Sequence, residues 1–204
     1  MVSKYRSTIH PKRDVLPDGT EIRLVLPLER TGNRHLYVTA SGRAFSHVRA
    51  KDPKTGVMRW IYREQALTTL SPSKLSVNAN RKQRYYDMPH HGSIYLHIAV
   101  CLAWIGPQPE DKNGKGYECH HLNGIVSDNR VDNLIWLSHE EHMQYDKRQR
   151  ALRDLLGDLR IYVRADFERW HAMPEADFQA MLAKFHRDPD FDRMEYEMTH
   201  HCEC

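Results

Sequence analysis

The sequence predicts an α+β protein in three parts: a small N-terminal antiparallel β module, a compact hairpin-and-helix core, and a helical C-terminal region. Three observations predict it. Between about Glu21 and Tyr86, short runs of β-formers are broken by turn residues. The most apolar stretch of the chain, Tyr95 to Ile105, stops at Gly106-Pro107. Beyond Ser138 the chain carries helix-start signals and helical spacing almost to its end. Of the 204 residues, 40% are hydrophobic and 28% charged, which favours several small modules over one large core.

In the first part, Ile22–Leu26, Leu36–Thr39 and Arg43–Val48 are the strand runs, and Asp18-Gly19, Ser41-Gly42 and Gly56 punctuate them. Gly and Asp at such spacing read as small hairpins. The apolar run 95–105 is read as a buried helix on its length and alanine content. A polar loop over 109–116 then leads to Glu118–His142. Locally this segment is a strand ending in His120-His121, a turn at Asn123-Gly124, a polar loop, an apolar strand Leu134–Leu137 and a capped helix. Ser138 with Glu141 makes a capping box, so the helix starts near His139. Pro174 followed by Glu175 and Asp177 marks a further helix, with Phe178, Met181, Leu182 and Phe185 as its packing stripe. The expected boundaries are 1–88, 89–150 and 151–204.

Charge is unevenly spread. Residues 1–85 hold 17 Lys and Arg against 6 Asp and Glu; residues 86–150 hold 6 against 9, and residues 151–204 hold 7 against 12. The regional balances are therefore +11, −3 and −5, which give the net +3. A basic N-terminal part facing an acidic remainder suits a polyanionic partner, because phosphate-neutralising cations gain affinity through counterion release. Arg43, Arg49, Lys51, Lys54, Arg59, Arg63, Lys74, Arg81, Lys82 and Arg84, interleaved with Phe45, Trp60, Tyr62, Tyr85 and Tyr86, are the candidate contacts to such a polyanion.

No apolar run approaches the roughly 18 residues of a membrane helix, and the N-terminal stretch lacks the apolar core of a signal peptide, so no membrane partner and a cytoplasmic location are expected. Of the four cysteines, none forms a Cys-x-x-Cys pair, and their spacings do not suggest a disulfide framework. Cys101 and Cys119 read as small buried apolar residues. His200, His201, Cys202 and Cys204 bunch soft donors at the end of the chain, where fraying is the simpler account.

Successive residues on a strand face opposite sides, so His120 and His121 imply two different tasks. His142, early on the following helix, can come back over the hairpin to share a divalent ion with one of them. His120-His121, Gly124, Asn129-Arg130, Asn133-Leu134 and His142, in this order, resemble the core of the HNH endonuclease family, especially the branch in phage and intron homing endonucleases. Leu36–Ser46 is similar to the small β module that accompanies many of these nucleases, and Tyr95–Val100 resembles the stretch preceding their core, with Ile98 in place of arginine. The likeness spans about Leu36 to Asp146.

The resemblance implies a ββα-metal fold and a metal-dependent endonuclease acting on double-stranded DNA, nicking per active site to leave a 5′ phosphate and a 3′ hydroxyl. It implies a phage-infected or host bacterial cell as the setting. By position, His121 would be the general base, a task suited to an imidazole with an ordinary pKa of about 6.5. His120 and His142 would hold one divalent cation, and Asn133 would pin the loop. Arg130 either acts at the site, contacting a DNA phosphate or stabilising charge near the leaving group, or only pairs with Asp128 or Asp132. Many relatives carry an acidic residue at the position of His120. Two imidazoles widen the expected ions from Mg²⁺ or Mn²⁺ to Zn²⁺ or Ni²⁺. A homodimer would turn nicks into double-strand breaks. The competing reading is a DNA-binding protein that keeps an HNH-like metal scaffold without cleaving.

Overall fold

In the computed structural model, the described residues are 10–26, 35–65, 68–69, 84–88, 92–157 and 159–187, and counts below refer to these. The chain is α+β, with antiparallel sheets in its first part and helices in its last. It divides into two compact units, residues 1–121 with 125–138, and residues 122–124 with 139–204.

The first unit is built on a five-stranded antiparallel meander. Its strands are β1 (Arg13–Val15), β2 (Glu21–Leu24), β3 (Leu36–Thr39), β4 (Ala44–Lys51) and β5 (Met58–Glu64), adjacent in sequence order. β3 turns directly into β4 at Gly42, whose φ of +82° is open to glycine and strained for other residues. Registers Tyr37↔Phe45 and His47↔Tyr62 put these residues on one face with Ile22, Leu24 and Asp14. Leu36, Val38 and Ala44 lie on the other face and join the larger core.

That core is completed by the apolar run. Leu96–Val100 form α1, and Cys101–Ile105 continue it as a π-helical turn, as expected for a buried helix. Val25, Ala99, Val100, Cys101, Leu134 and Trp136 are buried together there. Burying a large aliphatic side chain contributes about 1.5–3 kcal/mol. Two indoles find acceptors at its margin: Trp104 Nε1 donates to Val38 O (3.1 Å) and Trp136 Nε1 to Gly106 O (3.3 Å). A second, three-stranded sheet contains β6 (Thr68–Thr69), β7 (Arg84–Met88) and β8 (Gly92–Tyr95). β9 (Glu118–His121) and β10 (Leu134–Leu137) form a separate antiparallel hairpin, registered Leu134↔His121 and Ile135↔His120.

The second unit consists of α2 (His139–Leu156), α3 (Arg164–Ala172) and α4 (Glu175–Arg187), with the three residues 122–124. Gln149 on α2, itself buried, donates from Nε2 to Leu122 O at 2.7 Å. Arg148 donates from Nη1 to the carbonyls of Trp170, His171 and Met173, satisfying groups that the end of α3 leaves without helical partners. Phe167, Trp170, Phe178 and Leu182 are the buried apolar residues of α3 and α4, the last two as the helical stripe predicts. Among the described residues, no helix is long and apolar enough to cross a membrane.

Candidate metal and catalytic site

The hairpin β9–β10 fixes the paired histidines. Both are buried, His120 at 4% exposure and His121 at 7%, which removes the simplest account of adjacent histidines as surface decoration. His121 Nε2 lies 3.0 Å from Asn129 Oδ1. A carboxamide oxygen only accepts, so Nε2 carries the proton and Nδ1 is the nitrogen that keeps a lone pair. Burial lowers the pKa of His121 from its ordinary value, while Asn129 and Asp128 act in the opposite direction. The imidazole is therefore held in the neutral form that a base requires.

The loop between the strands is fastened from several sides. Asn133 is buried and its Nδ2 donates to Asp128 O at 2.8 Å, the geometry that a pinning role requires. Val131 N donates to Ala40 O (2.8 Å), tying the loop to the turn that follows β3. At that turn, a Cβ on Gly42 would stand 3.0 Å from both Cβ and O of Asn129, so the close approach also requires glycine. Arg130 is ion-paired with Asp128 (2.9 Å) and lies 3.5 Å from Asp132. Of its two expected roles, this is the geometry of the salt-bridged one.

His97, on α1, packs edge-on against His121 with ring centroids 5.1 Å apart. Burial, reinforced by His121, pushes its pKa down to about 3. Beside it, Cys119 Sγ is 2.8 Å from Cys101 Sγ, and burial raises the Cys119 thiol far above its ordinary pKa. Both cysteines are free and serve as packing, as expected.

His142 and Asp146, both half-buried, bring an imidazole and a carboxylate to one stretch of α2. Such groups are ordinary donors for a divalent cation. Asp146 is the one that sequence reasoning misses. Its signal is local: on α2 it stands one helical turn beyond His142, and residues four apart share a face. Asn129 enters the sequence argument only as part of a motif, because its approach to His121 bridges a loop whose conformation no pattern displays.

The basic candidates separate by environment. Arg49, Lys51, Lys54, Arg59 and Arg63 are placed along β4, β5 and their connecting turn, and all five are exposed. By register, Arg49 and Lys51 share a face with Trp60 and Met58. Arg43 is held by Glu64 at 2.9 Å and Arg59 by Asp52 at 2.7 Å, so their charges are locally balanced. Lys74, Arg81 and Lys82 lie outside the described residues, and Arg84 is placed only by its backbone on β7.

Among known protein families, the HNH endonuclease model matches residues 94–144, a segment running from β8 through the hairpin into α2. No curated protein and no solved structure matches the chain. The matched segment contains His97, His120, His121, Asn129, Asn133 and His142 and points to nuclease activity on DNA.

Proposed function

We propose that this HNH endonuclease segment makes the chain a metal-dependent enzyme that hydrolyses phosphodiester bonds in double-stranded DNA. The observation that carries the reading is the buried pair His120 and His121 on β9, the second oriented by an amide, within the segment that the HNH endonuclease model matches. We read β9, β10 and α2 as a ββα-metal finger in which the two adjacent histidines divide the work. His120, His142 and Asp146 would hold the ion, and His121 would act as general base.

His121 Nδ1 takes a proton from a water molecule as its oxygen attacks phosphorus. The P–O3′ bond breaks, leaving a 5′ phosphate, and the 3′ oxygen is protonated from solvent. Asn129 holds the opposite ring nitrogen, so the base presents the correct tautomer without rotation. Asn133 keeps the loop carrying Asn129 in place. A bound divalent cation supplies Lewis-acid stabilisation of charge on the phosphorane and the departing oxygen. With Asp146 contributing oxygen, the donor set suits Mg²⁺ or Mn²⁺ as well as Zn²⁺ or Ni²⁺. Arg49, Lys51 and Lys54 would follow the DNA backbone, since accessible cations give sequence-independent affinity.

Supercoiled plasmid incubated with purified protein and Mg²⁺ or Mn²⁺ tests the proposal. Relaxed circles that vanish with EDTA and with His121→Ala support it. Retardation of DNA on a gel without nicking would replace it with the reading of a non-cleaving DNA-binding protein. Each site cuts one strand, and a homodimer pairing two sites would yield linear product, which the same gel resolves.

A further inference from the structure

A second histidine cluster stands apart from the hairpin. His10, His35 and His47 come from the segment before β1, the segment before β3, and the middle of β4. All three are half-buried. His10 Nδ1 lies 3.0 Å from His47 Nδ1. His35 stacks on His10 with ring centroids 3.3 Å apart and planes within 5°. Hydrogen bonds to the backbone hold the three: Tyr37 Oη donates to Pro11 O (2.8 Å), and His47 N donates to His35 O (3.1 Å).

We infer that His10 and His47 form a binding site for a late first-row divalent cation, of the Zn²⁺, Cu²⁺ or Ni²⁺ class, which staples the segment before β1 to the sheet. With metal–nitrogen distances of roughly 2.0–2.1 Å, two nitrogens on one ion stand about 2.9 Å apart at a square-planar corner and about 3.3 Å apart on a tetrahedron. The 3.0 Å separation of the two Nδ1 atoms falls between these values. The ion would replace the single proton the two nitrogens now share, with water completing its shell.

His35 is not a ligand in this arrangement. Its ring is parallel to His10 and displaced by a stacking distance, so an ion in the His10 plane lies off the His35 plane. It shields one side of the site instead. Tyr62, stacked on His47 at 4.3 Å, and Trp60, edge-on to His10 at 4.8 Å, wall the others. Asp14 is occupied as the acceptor of Tyr62 Oη at 2.6 Å. Burial, reinforced by the neighbouring imidazoles, holds His10 down at about 4, and burial also lowers His35 and His47. All three are thus neutral at pH 7, the state in which imidazole ligates. A carboxylate-poor, two-imidazole site selects against Mg²⁺.

The inference is independent of the nuclease reading, and its test is run on full-length protein carrying His142→Ala to disable the other group. Calorimetric titration with Zn²⁺ is expected to lose one equivalent in His10→Gln and in His47→Gln, and to keep it in His35→Gln. Other metal-binding residues are common to all these chains and cancel in the comparison. In parallel, diethyl pyrocarbonate labelling mapped by mass spectrometry, which needs no substitution in the cluster, is expected to show His10 and His47 protected by Zn²⁺. An unchanged stoichiometry in folded His10→Gln and His47→Gln, or labelling of His10 and His47 indifferent to Zn²⁺, overturns it. If the variants do not fold, the labelling result decides.

Discussion

Asn129 Oδ1 and His121 Nε2 face each other at 3.0 Å inside the hairpin, eight residues apart in the chain and both buried. The amide decides which imidazole nitrogen is protonated, and so which one can act on water. Asn129→Ala is expected to lower kcat for plasmid nicking by about 10-fold or more with little change in KM, since a misoriented base loses part of the 10²–10⁴-fold that general-base catalysis contributes. Single-turnover nicking rates check this, and an unaltered kcat would mean the pairing is only structural.

Asn133 closes the same loop by donating to Asp128 O. Removing the donor leaves that carbonyl without it, so Asn133→Ala is expected to cost about 1–3 kcal/mol of stability. Urea unfolding measures the loss directly, and nicking should fall with it because the loop carries Asn129.

Gly42 touches the site from the sheet side. Alanine there meets both a φ of +82° and a Cβ approach of 3.0 Å to Asn129. Gly42→Ala is expected to destabilise by about 1–3 kcal/mol, the usual range for a side chain forced into the left-handed region. Ser41→Ala, one residue earlier, gives the control for a change in the turn without these two penalties.

Basic residues differ in what they have to offer a polyanion. Arg43 and Arg59 are already engaged by Glu64 and Asp52, whereas Arg49, Lys51 and Lys54 have no ion pair among the described residues. In equilibrium binding to a DNA duplex, each of Arg49→Gln, Lys51→Gln and Lys54→Gln is expected to reduce the slope of log K against log salt by about 0.9 for each phosphate the native side chain neutralises. Arg43→Gln should change it less. Equal slopes for all four would remove the ribbon from the interface.

His171 supplies a pH dependence of stability. Its ring is stacked on Tyr145 at 3.3 Å, its Nε2 is buried without a partner, and burial with Arg148 nearby pushes its pKa from 6.5 to about 3. A depressed folded value means the unfolded chain takes up the proton first. Stability is therefore complete above about pH 6.5 and declines as the pH falls from there toward 3. Thermal unfolding between pH 7.5 and 4.5 should show that decline, and His171→Phe should make it shallower, leaving the part that His97 and His10, lowered in the same way, contribute.

Much of this architecture is written in local patterns. The apolar run 95–105 forms a buried helix, the stripe with Phe178 and Leu182 forms a packed face, and the capped segment after Ser138 forms α2. Each depends on spacing within one element, which a sequence displays. Asn129 against His121, Gly42 against Asn129, and His10 against His47 join separate elements, and nothing in the period of a strand or helix encodes such meetings. Asp146 belongs to the first case, since its offset from His142 is one turn of a single helix.

The pairing of Ile135 with His120 and Leu134 with His121 carries a final consequence. Because a strand alternates its sides residue by residue, a slip of one position along this hairpin would exchange the two imidazoles, putting the proposed base where the proposed ligand belongs. The hairpin thus acts as a two-position selector whose setting is held by the burial of Leu134, Trp136 and Leu137. Moving an apolar residue by one position there, as in Leu134→Thr with Ile135→Leu, would attack the chemistry through an alignment error while every proposed metal- and proton-handling residue kept its identity.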